Sequence, residues 1–458
     1  MTKHYHFIGI GGTGLAPIAR ILLERGNRVS GSDRILSPQA HELMALGAVV
    51  SEGHDSRNVA GADVVIRSSA IPDGNPEVQA ALAAGIPVLH RKEFLKELTA
   101  GKDTIAVAGT HGKTTTTAMI AWALISLDQD PSYVIGSVSK NLKNSAHAGQ
   151  GSHFVIEADE YDHMFLGLTP RVAVITFVEH DHPDCYPTPA SYEKAFVDFA
   201  GQVLPGGVLL ACHDNEGACK VLGQAPLSIN SFTYGLDPRA AYEAQEVTPN
   251  EHGGFSFKAV FHSGGPRVQH LGTVALQVPG EHNVRNALAA MAVVHQLNLS
   301  TTTAAEALGT FAGTARRFDL RGEFNGIAIV DDYAHHPTEI RTTLAAARAR
   351  YPERRIWAVW QPHTYSRTEA LFDEFTQAFK DADQVIVTEV YAAREQSDGF
   401  SAQQLVKKMQ HSLVHFSPDL EEAAGYLLNH LQSGDVVLVL SAGDADQIST
   451  RVLAALKD

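Results

Sequence analysis

The sequence predicts an α/β protein of three domains: a Rossmann-like N-terminal parallel sheet, a central P-loop ATPase-type α/β domain with a small antiparallel insert, and a C-terminal Rossmann-like α/β domain. Three observations predict it. Short β-branched runs alternate with helical segments along most of the chain, the pattern of parallel sheets covered on both faces. Two glycine loops each join a strand to a helix. The 458 residues also exceed the roughly 250–300 at which a single core stops growing.

Residues 1–100 read as the first domain through "YHFIGI", "LAPIARILLERG", "RVSGSD", "QAHELMALGA", "DVVIRSS", "EVQAALAAG" and "PVLHR", with "LTAGKD" as the linker that follows. Gly9 to Gly14 matches G-x-G-x-x-G between strand and helix. Gly11, Gly12 and Gly14, with Thr13, let the backbone approach a diphosphate, while the helix N-terminus supplies N–H donors and a positive dipole end. Asp33, closing "VSGSD" after Ser32, is placed to take a ribose hydroxyl. A tight turn with no ligand would use the same glycines.

Residues 101–314 read as the central domain. After "TIAVAG" comes Gly109-Thr110-His111-Gly112-Lys113-Thr114, a shortened P-loop with Val107 where the full pattern has glycine. Lys113 offers a point charge to the β- and γ-phosphates, Thr114 offers a hydroxyl to Mg²⁺, and the amides form an anion nest. "VIEADEYD" puts Glu157, Asp159 and Glu160 after one strand. "FVEHDHPDCY" puts His180, Asp181, His182 and Asp184 after another, so both clusters leave the carboxyl edge beside the phosphate loop and converge on Mg²⁺. Alone, each cluster also reads as a solvated loop. From about 230 to 280, "GGFSFKAVFHS" and "RVQHLGTVALQV" alternate as an antiparallel hairpin insert. In "GEHNVRNALAA", His282, Asn283 and Asn286 start a helix, where the Asn side chains either read a purine edge or cap the helix.

Residues 315–458 repeat the α/β pattern in "GIAIVDDYAHH", "RRIWAVWQPH", "QVIVTEV" and "DVVLVLSAGD". The polar islands "ARRFDLRG", "DDYAHHPTE" and "QPHTYSRTEALF" stand at strand or domain edges. Their arginines read either as forks for phosphate or carboxylate or as surface ion pairs.

The composition narrows the function. With 44% hydrophobic and 19% charged residues the chain is predicted to be ordered throughout. A formal charge of −15 opposes nucleic-acid binding. Cys185, Cys212 and Cys219 make no CxxC pair, which fits a reducing compartment. No apolar run of about 18 residues offers a membrane span, and a cytoplasmic location is expected.

Taken in order, "GTHGKTTT", "EADEYD", "EHNVRNALAA", "RRF" and "DDYAHHPTE" resemble the motifs of the Mur ligases, the ATP-dependent amide-bond-forming enzymes of peptidoglycan precursor synthesis. "HFIGIGGTG", "VSGSD", "SSAI" and "QPHTYSRT" extend the resemblance over essentially the whole chain. It implies that the first loop, with Ser32, Asp33, Ser68 and Ser69, holds UDP-N-acetylmuramate, and that the second loop holds ATP. ATP would meet Gly109 to Thr115, His282, Asn283, Arg317 and Asp332, with Mg²⁺ on Thr114, Glu157 and His182. Lys113, Glu157, His182, Arg317 and His335 are the implied catalytic group. His363 and Arg367 would face the amino acid, L-alanine, with a murein tripeptide as the alternative amine. A monomer or homodimer is expected. Phe177 and Thr364 depart from the family pattern. An NAD-dependent oxidoreductase built on the first loop is the remote alternative, and it leaves Lys113 and Glu157 without a task.

Overall fold

In the computed structural model, which describes residues 2–264, 268–393, 395–397 and 399–457, the chain forms three sheets. The first has five parallel strands in the order Val49–Glu52, Arg28–Asp33, His4–Ile8, Val64–Arg67 and Val88–His90. The second has ten. Within it, Asp103–Ala108 lies parallel between Val172–Ile175 and His153–Glu157. The phosphate loop and both acidic loops therefore leave neighbouring strands at the same carboxyl edge, which is what assembles a site from segments far apart in sequence. The third sheet has six strands, parallel except for its edge strand Asp319–Phe324, which pairs antiparallel with Ile327–Asp332.

The segment expected to be a two-stranded insert is a three-stranded antiparallel meander, Tyr242–Pro249, Phe255–His262 and Val268–Ala275. It also continues the central sheet, because Tyr242 and Glu243 pair parallel with Tyr234 and Gly235. The extra strand, "YEAQEVTP", carries charges that mask its alternation. Its membership is settled by Tyr242, fully buried with its ring 4.7 Å from Phe261. Arg267, read as the start of the last strand, lies outside the described residues.

Burial explains how the three sheets relate. The apolar cluster containing Phe7, Leu22 and Phe94 of the first sheet unit runs on without a break into Ile105, Phe154 and Leu288 of the central one. The C-terminal sheet buries its own clusters, one around Trp360 and Phe375 and one around Trp357 and Ile448. It meets the central unit through polar contacts. A seam of that kind opens at far lower cost than a shared apolar core.

Candidate nucleotide and ligation site

Gly109 (φ 138°) and Gly112 (φ 81°) turn the chain from strand Asp103–Ala108 into helix Lys113–Ser126. Both positions need glycine. A Cβ on Gly109 would overlap the Thr176 hydroxyl, and one on Gly112 would lie 2.8 Å from Asn286 Oδ1. At the helix start the Thr114 hydroxyl donates to Glu157 Oε1 (3.1 Å), whose other oxygen accepts from the Gly136 amide (2.7 Å). Burial raises the Glu157 pKa against the opposing pull of Lys113. Lys113 itself folds back, its ammonium 2.9 Å from Glu160 Oε2 and bonded to the carbonyls of Gly109 and Thr110.

Beside the loop lies a cleft lined by His111, Gly112, Thr114, Thr115, His282, Asn283, Arg317 and Asp332. Gly109, Thr110 and Lys113 are not part of this lining. Phe177, the departure noted above, forms part of the wall. Asn283 and Asn286 are buried inside helix Glu281–Gln296, whose cap is Gly280, so capping does not explain them. The Asn283 amide donates to Pro279 O (2.7 Å), and Asn286 donates to Asn283 Oδ1 (3.0 Å). Burial lowers His282 to about 4. Asp332 accepts from the Phe318 and Ala334 amides, and burial pushes its carboxyl up to about 6.

The C-terminal unit closes the cleft through Glu339, a residue for which the sequence suggested no task. Glu339 stands in the first turn of helix Pro337–Arg350 and accepts from the amides of His335 and His336. Its carboxylate also lies 3.1 Å from His111 Nδ1, 3.2 Å from His335 Nδ1 and 3.7 Å from Arg317. Burial opposes ionisation, yet these neighbours hold Glu339 well below the usual carboxylate range. Burial also depresses His111, but Glu339 and Glu179 outweigh it and raise the imidazole to about 9. His335 has burial as its largest influence and falls to about 3, so it is neutral at physiological pH. Nearby, Arg367 donates to Asp181 (2.8 Å) and contacts His363 Nδ1 (3.1 Å). Thr364, between them, holds φ 65° and ψ 144°, a strained conformation for a β-branched residue.

His182 stands beside Glu160, the ion-pair partner of Lys113. Its Nε2 lies 3.8 Å from Glu160 Oε1 and 3.8 Å from Asp181 Oδ2.

In the first loop, Asp33 accepts from the Gly11 amide (2.9 Å) and from Arg34 N (2.8 Å), so its carboxylate braces the loop instead of projecting from it. Ser32 is fully buried and donates to Glu77. Gly12, Thr13 and Ser69 are exposed. Ser68 borders the loop, 3.3 Å from where a Cβ on Gly9 would stand. Arg91 Nη1 sits 2.7 Å from the Cβ position of Gly14 and 3.4 Å from Asp159 Oδ2, which links the first loop to the acidic loop of the central unit.

Two glycine loops on separate sheets that share a core, with a third sheet closing over the second loop, define a multidomain nucleotide-dependent enzyme, and the chain belongs to the Mur ligase family. Residues 4–103 match the Mur ligase family catalytic domain, 107–294 the Mur ligase middle domain and 316–443 the Mur ligase glutamate ligase domain. The UDP-N-acetylmuramate–L-alanine ligase of Desulfosudis oleivorans is 44% identical over 456 residues, covering 98% of either chain. That of Roseiflexus sp. is 42% identical over 99% of both. Among solved structures, the UDP-N-acetylmuramate-alanine ligase of Thermotoga maritima superposes with a TM-score of 0.82 at 27% identity over 100% of this chain and 99% of its own. A murein peptide ligase from Psychrobacter arcticus gives 0.73 at 26%, with the same coverage.

Proposed function

We propose that the chain joins L-alanine to the carboxylate of UDP-N-acetylmuramate in the cytoplasm, with ATP becoming ADP and phosphate, as a step of peptidoglycan precursor synthesis. The observation that carries this reading is the 44% identity, over nearly the full length of both chains, with a UDP-N-acetylmuramate–L-alanine ligase.

The chemistry follows from the weakness of a carboxylate as an acyl donor, since its leaving group would be oxide. Phosphoryl transfer from ATP makes an acyl phosphate, the amine attacks its carbonyl carbon, and phosphate leaves from the tetrahedral adduct. ATP occupies the cleft, with Asn283 at the base and Asp332 at the ribose. Lys113 exchanges Glu160 for the phosphates, and Arg317, already on the wall of the cleft, offsets charge on the transferring group. Thr114 and Glu157 are hard oxygen donors 3.1 Å apart and fit Mg²⁺; when bound there, Mg²⁺ would supply further neutralisation of the phosphate charge. Either His335 or His363 takes a proton from the alanine ammonium, and the burial that lowers them to about 3 and about 4 must be offset when substrate binds. Arg367 and His363 face the amino acid.

Phosphate release measured with L-alanine and, separately, with the murein tripeptide as the amine tests this reading. Turnover with L-alanine is expected. Turnover with the tripeptide alone would transfer the assignment to the peptide ligases.

A further inference from the structure

One imidazole nitrogen each of His111 and His336 and one carboxylate oxygen of Glu179 lie within 4.8 Å of one another. His111 Nε2 is 3.3 Å from Glu179 Oε2, and His336 Nδ1 is 4.0 Å from that same oxygen. Ligand bonds of about 2.1 Å in a tetrahedral zinc site put neighbouring donor atoms roughly 3.4 Å apart. These two separations bracket that value, and because His336 Nδ1 also accepts from the Thr338 amide (3.3 Å), a cation bound there would take the place of that cap.

The surroundings match a metal site as well. Ligating imidazoles commonly have a carboxylate at the second ring nitrogen, which sets their tautomer and orientation. His111 has one, with Glu339 Oε1 3.1 Å from Nδ1, and the proton on its Nε2 is released to solvent when the cation binds. The third ligand is braced in turn, because the Thr338 hydroxyl donates to Glu179 Oε2 at 2.8 Å. Two imidazoles and a carboxylate suit Zn²⁺ and discriminate against Mg²⁺, which takes an all-oxygen shell. These residues are separate from the Thr114 and Glu157 pair.

We propose that His111, Glu179 and His336 form a three-ligand site for Zn²⁺ or a similar first-row transition ion, with its fourth position open. Two ligands come from the central unit and one from the C-terminal unit, so the ion ties the seam in its closed arrangement. A tied seam stabilises the chain and slows any reaction cycle in which nucleotide enters and leaves by opening. The site stands independently of the ligase reading, since its test uses no substrate.

The test is Zn²⁺ binding to the full chain without nucleotide or Mg²⁺, read by competition with a chromophoric chelator and by Tm. The wild type should bind one equivalent and gain Tm. His336→Gln and Glu179→Gln should each weaken binding by more than tenfold and abolish the Tm gain, and His182→Gln should bind as the wild type does. Because His336 also caps helix Pro337–Arg350, Glu179→Gln carries the test where the His336 variant fails to fold. Wild-type affinity in either variant, or loss of binding in His182→Gln, would overturn the proposal.

Discussion

Arg367 Nε donates to Asp181 Oδ1 at 2.8 Å, joining the C-terminal sheet unit to the central one through two side chains that are 5% and 4% exposed. Burial works against Asp181 ionising, yet Arg367 holds its carboxyl well below the usual range, so the pair is charged. The units on its two sides have separate cores. Closure should therefore be an equilibrium that ligands displace. Small-angle scattering is expected to show a smaller radius of gyration with an ATP analogue and UDP-N-acetylmuramate present, and a weaker response in Asp181→Asn. An identical profile with and without ligands contradicts a moving C-terminal unit.

Substitution of Arg367 by Lys keeps the charge and removes the planar fork that contacts Asp181 and His363 and that is proposed to take the amino-acid carboxylate. The variant should raise the KM for L-alanine and lower kcat/KM by the equivalent of about 1–3 kcal/mol, with the KM for ATP little changed. An unchanged KM for L-alanine would leave Arg367 as a tie to Asp181 alone.

Removing Lys113 should cost both turnover and stability. The Lys113 side chain is 14% exposed and that of Glu160 1%, so Lys113→Ala strands a buried carboxylate, a loss on the order of 3–5 kcal/mol. Lys113→Met combined with Glu160→Gln removes both charges and should recover much of the Tm while remaining inactive. Wild-type phosphate release by either protein would refute the role of Lys113 at the phosphates.

Asp332 provides the pH dependence. Its folded pKa of about 6 lies above the ordinary 3.8, so the folded chain binds this proton more tightly than the unfolded one. Its contribution to stability is consequently present below pH 3.8 and is lost as pH rises through about 6. Nucleotide binding should run the other way, because only the carboxylate is a charged acceptor for ribose hydroxyls. The KM for ATP is expected to rise as pH falls through 6 in the wild type and to stay flat in Asp332→Asn. Parallel profiles would remove Asp332 from the ribose.

Gly11→Val tests whether the two loops divide the work. A side chain at Gly11 overlaps the Ser37 hydroxyl and approaches Asp33 Oδ2 to 3.1 Å, displacing the brace that holds the loop. Calorimetry should show weakened UDP-N-acetylmuramate binding with ATP binding retained. Equal loss of both affinities would mean that one loop does not serve one ligand.

The alternation of strands and helices, the two glycine loops, and the placing of Thr114 and Glu157 at one sheet edge were legible in the amino-acid order. Each depends on local rules: the side-chain period of a strand, the backbone freedom of glycine, and the exit of parallel strands at a common edge. The task of Glu339 was not legible. Three residues after His336 it reads as an ordinary helix-capping carboxylate, which it also is, and nothing in its spacing reveals a contact with His111 from another sheet. The same holds for the Arg367 and Asp181 pair, 186 residues apart, and for the brace that Asp33 makes within its own loop. Such meetings are decided by how finished sheets pack and by which buried charges must find a partner there. Only the tertiary structure supplies that information.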